Sequence, residues 1–236
     1  MLPLVSIVTP TYNRRRFIPS LIKIIQSQTY PRDRLEWIVY DDGQETIQDL
    51  LDAERSSLPK LTYIYSEDKM TLGEKRNRLN KEATGEIIVA MDDDDFYVPE
   101  RVEYAVSVLQ KSPSIDLVGS SKVYMYFTDI KQIYVIGPYF ANHATNGTMA
   151  WRSRYAKTHT YDETVAFAEE KSFLDNFANP LVQLDCKKVM LVISHSDNTF
   201  DKTQLRTANN PLFKSTNLQI KEFIKDPALV AFFSSL

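Results

Sequence analysis

Short aliphatic and β-branched runs alternate with helix-spaced apolar positions along the first half of the chain. Residues 4–8, Leu-Val-Ser-Ile-Val, are closed by Pro10 and predict a buried strand. Phe17, Ile18, Leu21, Ile22 and Ile25 then recur at helical spacing up to Gln28. Residues 35–40 predict a second strand, Ile47, Leu50 and Leu51 a short helix, and residues 61–65 a third strand. A helix over 72–82 stops at Thr84-Gly85, a fourth strand spans 86–91, and another helix runs from Pro99 to about Gln110. Strand–helix alternation with short connections implies βαβ units and a largely parallel sheet.

The pattern changes after about residue 112. Strands are expected at 116–119, 123–127 and 132–136 without helices between them, a helix over 168–177, and strands at 181–184 and 189–194. The tail from Leu218 reads as helical, broken at Asp226-Pro227. The expected fold class is therefore α/β: a mostly parallel central sheet flanked by helices, with an α+β extension. No repeat or linker divides the chain, so residues 1–236 are read as one domain with halves 1–112 and 113–236.

Composition narrows the function classes. With 43% hydrophobic and 25% charged residues, 236 residues can bury a full core. The 28 Lys+Arg against 31 Asp+Glu leave a net charge of -3, without the basic footprint that nucleic-acid binding needs. Only six Gly argue against a glycine-rich phosphate cradle, and the one Cys, Cys186, excludes an internal disulfide and a Cys-based zinc cluster. The 13 Tyr, 12 Phe and 2 Trp favour stacking surfaces. No apolar stretch of about 18 residues predicts a membrane span, and residues 1–4 carry no signal-peptide pattern. The expected location is cytoplasmic.

In open α/β sheets ligands bind beyond the carboxyl ends of the strands, which directs attention to residues 9–14, 41–43, 66–69 and 92–95. The strongest signal is Asp92-Asp93-Asp94-Asp95, directly after a buried strand. Two unit charges 4 Å apart repel by roughly 4 kcal/mol at an effective dielectric near 20. A hard divalent cation relieves that repulsion and bridges carboxylates to substrate phosphates. Alternation along an extended segment points Asp92 and Asp94 the same way. The plain alternative is a helix cap, but Pro99 as first helical residue puts the cap at Val98, past the aspartates.

Other strand ends are less specific. After the first strand, Tyr12 offers a ring to a base and Arg14 a charge to a phosphate; an ordinary polar turn explains them equally well. Asp41-Asp42-Gly43 either accepts from a base or ribose or makes a turn. Thr71 and Glu74 fit a capping box. Lys75 and Arg76 follow in the first turn, where a cation is disfavoured by roughly 0.3–1 kcal/mol, so an anion facing them makes sense of their position. Glu169-Glu170 reads as ordinary first-turn acid, and His195 and His143 alone imply no ligation.

Taken together, these segments resemble the GT-A nucleotide-sugar glycosyltransferases, specifically glycosyltransferase family 2. The resemblance rests on Val5–Asn13, Trp37–Gly43, Gly73–Asn77 and Ala83–Ile88 leading into Met91–Asp95, in the family's order and spacing over roughly residues 3–112. It extends to compact transferases of large DNA viruses and bacteria, where a viral enzyme would work in the host cytoplasm. It implies that Thr9, Pro10, Tyr12, Arg14, Asp41 and Asp42 line the nucleotide-sugar site, with Asp42 reaching the base. Lys75 and Arg76 would sit near the base or diphosphate. Asp92-Asp93-Asp94 would be the DxD motif, with Asp92 and Asp93 near donor and Asp94, Asp92 and a late His195 as ligands of Mn²⁺ or Mg²⁺. Glu170 aligns with the family's general base, usually Asp, and Glu169 precedes it.

The implied reaction is metal-dependent inverting transfer from a nucleoside-diphosphate-sugar to a hydroxyl of a glycan or glycoconjugate, with UDP the expected nucleotide and GDP or dTDP open. A single base with in-line attack inverts configuration; retention by double displacement needs a nucleophilic carboxylate as well. The segment 139–148 is assigned to the acceptor side, and Trp151 is either a sugar-stacking face or core. The alternatives are a sugar nucleotidyltransferase and a non-catalytic nucleotide-sugar-binding module. A dinucleotide oxidoreductase would need a Gly-x-Gly-x-x-Gly after the first strand, which is missing.

Overall fold

The computed structural model describes residues 2–165, 168–198, 202–207 and 210–236. In chain order the first half contains β1 (Val5–Thr11), α1 (Ile18–Gln26), β2 (Leu35–Asp41), α2 (Gln48–Glu54), β3 (Lys60–Tyr65), α3 (Leu72–Glu82), β4 (Ile87–Ala90), β5 (Phe96–Tyr97) and α4 (Arg101–Lys111). The second contains β6 (Leu117–Gly119), β7 (Val123–Phe127), β8 (Gln132–Ile136), β9 (Ala150–Arg152), α5 (Ser153–Ala156), α6 (Glu170–Phe173), β10 (Val182–Gln183), β11 (Met190–Ser194), α7 (Gln204–Thr207), β12 (Phe213–Ser215), α8 (Ile220–Phe223) and α9 (Pro227–Ser235).

The main sheet runs β10-β6-β9-β4-β1-β2-β3. β4, β1, β2 and β3 are parallel, and β9 enters antiparallel between β4 and β6. β1, β2 and β4 are buried along their whole length, as parallel strands covered by helices on both faces must be. β3 is the half-exposed edge. α1 buries Ile18, Leu21, Ile22, Ile24 and Ile25, and α4 buries Val102, Ala105, Val106 and Leu109. Register with β4 ends at Val8↔Ala90, whereas β1 continues beside β2 to Thr11↔Asp41. Pro10, which has no N–H to give, sits in that stretch where β1 has outrun β4. The divergence opens the sheet at the carboxyl ends of its strands.

A second sheet, ordered β12-β8-β7-β11-β5, carries the α+β extension. Its two-residue β5 is not visible in the hydrophobic pattern. It pairs Tyr97 with Met190 and Phe96 with Leu191, which ties the chain just after the four aspartates to the strand that leads into His195.

Most expected elements are present, and three differ. The helix expected over 168–177 is the single turn α6, because Ala168, Asp175, Asn176 and Phe177 adopt φ of 57°, 49°, 52° and 65°. Positions 166 and 167, just before it, lie outside the described residues. Pro99 precedes α4 rather than opening it; Glu100 is the cap, so the aspartates stand still further from the helix. Of the capping box only half forms: Thr71 Oγ1 accepts from Glu74 N–H at 3.2 Å, while the Glu74 carboxylate turns to Arg78 at 2.9 Å. Trp151 is core, 1% exposed and packed edge-on to Phe173.

Candidate active site

α3 is the element that builds the site, and it does so with an unusual buried face. Its first turns bury Gly73, Lys75, Arg76 and Asn77 instead of an apolar stripe. Gly73 is required by packing: a Cβ there would lie 2.2 Å from the Asp162 carbonyl oxygen. Asn77 clamps the same loop, donating to Tyr161 O at 2.9 Å and Glu163 Oε1 at 2.8 Å and accepting from Tyr161 N–H at 2.8 Å. Tyr161 stacks on Phe173 at 4.2 Å, and Ser172 Oγ donates to Glu169 O while accepting from Asp162 N–H. These contacts hold α6, and with it Glu169 and Glu170, over the start of α3.

Arg76 joins the pieces. Its Nε donates to Glu169 Oε1 at 2.8 Å and its Nη1 to Asp92 Oδ1 at 2.9 Å. With the Asn146 amide oxygen turned to the guanidinium, that oxygen accepts from Nη1 at 2.8 Å, and the amide nitrogen meets the Tyr161 hydroxyl at 2.7 Å. Burial alone would lower the Arg76 pKa, but Asp92 and Glu169 outweigh it and keep the group charged. Glu170 lies beside this network. Burial, reinforced by the neighbouring Glu169 charge, pushes its carboxyl up to about 7.

The four aspartates lie in a turn past β4 rather than on an extended strand, yet they alternate in exposure. Asp92 and Asp94 keep 24% and 15% of their side chains exposed, against 8% for Asp93. Asp92 is fixed from behind by its own N–H, which donates to the Tyr97 hydroxyl at 2.7 Å. Asp94 Oδ2 meets His195 Nε2 at 3.2 Å, Asn198 Nδ2 at 3.1 Å and Arg14 at 3.6 Å. Burial would raise the Asp94 pKa; the hydrogen bond from His195 and the charges of Lys202 and Arg14 hold it at about 2. Burial and Asp94 drive the Asp93 pKa well above the ordinary range, and its Oδ2 has no hydrogen-bond partner among the described residues. Asp95 accepts from Ile193 N–H at 2.8 Å, which secures the acidic turn to β11 at the edge of the cleft.

Among the described residues no three His, Cys, Asp or Glu side chains are gathered as a metal site would need. Asp92 is drawn to Arg76 instead of toward Asp94. The Asp94–His195 pair alone has suitable spacing: neighbouring ligands of an octahedral cation with ~2.1 Å bonds are about 3.0 Å apart. His195 Nδ1 accepts from Asp197 N–H at 3.2 Å, so ligation through Nε2 requires the other tautomer and a shift of that turn.

The nucleoside-side residues lie around the ends of β1 and β2. Tyr12 is half-buried, with Lys69 Nζ 4.3 Å from its ring centre. Lys75 Nζ donates to Asp42 Oδ1 at 2.7 Å and to Thr11 O at 3.0 Å, and Asp42 Oδ2 accepts from Met70 N–H at 2.7 Å. Asp41 makes the turn, accepting from Gly43 N–H and from the Tyr63 hydroxyl. Gly43 has no room for a side chain, since a Cβ would stand 2.8 Å from Asn13 N. Thr9 is fully buried, donating to Met91 O and accepting from Trp37 Nε1; its hydroxyl supports the sheet and does not face the site. Tyr97, Tyr161, Asn198 and Lys202 are the site residues that the sequence did not single out, while Asn146 lies in the segment 139–148 that it assigned to the acceptor side. Asn198 alone carried a signal, as a turn-forming Asn three residues after His195.

A cleft of about 290 Å³ opens on Arg76, Asp92, Asp94, Glu169 and Glu170 together. Cationic groups thus face carboxylates across a space that also admits a carboxyl titrating near neutrality. Among the described residues no helix is long and apolar enough to cross a membrane.

The chain resembles proteins of one kind. It is 29% identical over 115 residues to an uncharacterized glycosyltransferase of Haemophilus influenzae, covering 49% of this chain and 37% of the relative. An uncharacterized glycosyltransferase of Methanocaldococcus jannaschii is 26% identical over 189 residues, 72% of this chain and 63% of that one. The chain therefore spans between about a third and two-thirds of these relatives. In fold it matches S. aureus TarS 1-349 in complex with UDP-GlcNAc, at TM-score 0.66 and 20% identity over 83% of this chain and 60% of that one. It also matches mannosyltransferase PcManGT from Pyrobaculum calidifontis in complex with GDP-Man and Mn²⁺, at TM-score 0.66 and 18% identity, covering 84% and 59%. The fold is that of the GT-A glycosyltransferases. Residues 6–177, from β1 through the turn after α6, match the family model of glycosyl transferase family 2, and the chain belongs to that family.

Proposed function

We propose that the chain transfers a sugar from a nucleoside-diphosphate-sugar to an acceptor hydroxyl with inversion at the anomeric carbon. The observation that carries this reading is Arg76 bridging Asp92 and Glu169 in the cleft that also holds Glu170. Family membership and the nucleotide-sugar complexes of the fold neighbours support it.

The roles follow from chemistry at each position. Tyr12 offers a ring to the base at the end of β1, and the Lys75–Asp42 pair shapes the floor beneath it. Arg14 and Arg76 are two cations that can meet a diphosphate, each exchanging a carboxylate partner for phosphate oxygens, and Lys202 is a third cation on the cleft. Asp94, with His195 in its Nδ1–H form, would hold Mn²⁺ or Mg²⁺, and Asp92 would join once the donor takes Arg76. Such a cation supplies charge neutralisation for the departing nucleoside diphosphate. Glu170 accepts the proton of the acceptor hydroxyl, a task for which a carboxyl with a pKa of about 7 is matched to neutral pH. One base with no nucleophilic carboxylate assigned beside it corresponds to inversion.

A thermal-shift panel of UDP-, GDP- and dTDP-sugars with and without Mn²⁺, followed by product analysis, tests the reading. Stabilisation by a donor and release of free nucleoside diphosphate are expected. Release of pyrophosphate would identify a nucleotidyltransferase instead, and donor binding without turnover on any acceptor would identify a binding module.

A further inference from the structure

The segment 139–148 presents aromatic rings to solvent at the rim of the cleft. Tyr139 and Phe140 are 40% and 51% exposed, and Tyr139 lines the cleft together with Glu170. Behind them the His143 ring packs against Tyr139 at 4.6 Å, Phe140 at 5.4 Å and Phe177 at 5.2 Å between centres. Burial lowers the His143 pKa, so at neutral pH it packs as an uncharged ring. Phe140 also meets Phe177 edge-on at 5.1 Å. Phe177 is the last of three consecutive left-handed residues after α6. The cluster is thus joined to the turn that carries Glu170, and not to the ends of β1 and β2 where Tyr12 lies. The backbone beneath the rings is pinned. Gln183 Nε2 donates to Ala141 O at 2.7 Å and to His143 O at 2.9 Å. Tyr139 N–H donates to Ser121 O at 3.2 Å and Thr145 N–H to Ser120 O at 3.1 Å. The exposed rings are therefore held in place before any ligand arrives, which lowers the entropy that binding must cost.

Size decides between occupants. An aromatic side chain buries about 150–250 Å² when fully covered, so the exposed parts of Tyr139 and Phe140 come to about 200 Å² together. Even with the exposed Pro138 and Ala141 beside them, that is a fraction of the roughly 800 Å² per partner in a stable protein–protein contact. It suits a small flat ligand. A pyranose offers a face of C–H groups whose partial positive charge matches the negative face of an aromatic ring, while its hydroxyls stay in water at the edges. We propose that Tyr139 and Phe140 form a sugar-stacking subsite for the acceptor. The acceptor is then an oligosaccharide: one unit presents its hydroxyl to Glu170, and the unit behind it lies on the two rings. Assignment of the subsite to an acceptor rests on the transferase reading above; the affinity of the rings for a sugar chain does not.

Calorimetric titration of the full chain with sugars of increasing length tests this. The probes are cello-, malto- and chito-oligosaccharides of one to four units. In at least one series the dissociation constant is expected to fall about tenfold between one unit and three, then level off once both rings are covered. Affinity that does not change with length in any of the three overturns the proposal. Phe140→Leu and Tyr139→Leu keep an apolar side chain against His143 but remove the aromatic face, and each is expected to cut the length gain about three- to tenfold. Phe140→Trp should retain the gain. Should Tyr139→Leu fail to fold, Phe140→Leu at the more exposed position decides. A length gain untouched by the leucine variants places the sugar chain elsewhere and overturns the proposal as well. So does sedimentation with phosphatidylcholine vesicles that Phe140→Ser abolishes, seen beside flat sugar series, which would give the patch to a membrane. A parallel titration with UDP and GDP separates the two readings. Nucleotide binding with flat sugar series removes the subsite alone; a length gain without nucleotide binding removes the transferase and leaves a sugar-binding surface.

Discussion

Lys75 and Arg76 are neighbours on the first turn of α3, yet they end in two different kinds of ion pair. Lys75 and Asp42 form a closed pair, their side chains 6% and 0% exposed, with both Asp42 oxygens occupied by chain donors. Arg76 is equally buried and holds the buried Glu169, but its other partner, Asp92, is 24% exposed on the cleft. A closed pair has its donors and acceptors already matched within the chain. An open pair is held in place by the fold yet exchanges partners when an anion arrives. The contrast separates the part of the charged cluster that holds the site together from the part available for chemistry.

Removing the base breaks this comparison most severely if the open side is catalytic. Glu170→Gln is expected to lower kcat by about 10²–10⁴-fold, the usual contribution of a general base, while donor affinity stays within about threefold. Steady-state kinetics beside donor titration reads both, and unchanged turnover would reject Glu170 as the base.

Next in size comes the closed pair. Lys75→Met leaves Asp42 buried without its cation, for an expected loss of about 3–5 kcal/mol of stability in urea unfolding. Lys75→Met with Asp42→Leu removes both charges and should recover most of that loss. Arg76→Met should abolish transfer, but it strands the buried Glu169 as well as Asp92; Arg76→Met with Glu169→Gln leaves only the water-facing Asp92 unpaired and should destabilise less than Lys75→Met. Equal destabilisation by these two variants would erase the distinction between closed and open.

The sequence showed one side of this arrangement better than the other. The long buried runs marked the four parallel strands of the main sheet, and the position of Asp92–Asp95 past β4 marked the site; β6 and β10, read as part of the extension, and β9, not read at all, complete that sheet instead. Partner choice was hidden, because Lys75 and Arg76 look alike in sequence while their carboxylates lie 33 and 16 or 93 residues away. Tyr97 lies in a stretch the hydrophobic pattern leaves unassigned, and its role shows only when its hydroxyl is seen under Asp92 N–H. Asn146 is an ordinary loop residue until the fold brings Arg76 to it. The helix expected at 168–177 shortened to one turn because its apolar residues, Phe173 and Leu174, pack into a core shared with Tyr161 and Trp151, while the chain turns out through left-handed residues.

A smaller effect is expected on stability as a function of pH. The Glu170 carboxyl is raised in the folded state to about 7 from an ordinary value of 4.5. Between these values the folded chain binds more protons than the unfolded chain, so this group's contribution to stability falls as pH rises, and the full penalty is present above about 7. Glu170→Gln removes it. The variant should be more stable than the parent by about 1–3 kcal/mol at pH 8 and no different near pH 4, where both forms are protonated. In the parent enzyme kcat should climb with pH through about 7 and then level off as the base deprotonates. A stability gain of the same size at both pH values would show that packing, not the buried charge, is responsible.

The smallest expected effect sharpens the comparison by touching α3 away from both pairs. Thr71 caps the helix through its hydroxyl on Glu74 N–H, and nothing in the ion-pair network depends on that oxygen. Thr71→Ala should remove about 0.5–2 kcal/mol of stability. Thr71→Ser keeps the cap and should stay within a few tenths of a kcal/mol of the parent. Because the cap only sets where α3 begins, kcat in Thr71→Ala should remain within about twofold at temperatures well below its melting point. A larger fall in kcat, restored by Thr71→Ser, would mean that fraying of the first turn releases Lys75 and Arg76. The closed pair would then depend on the helix end, rather than holding that end in place.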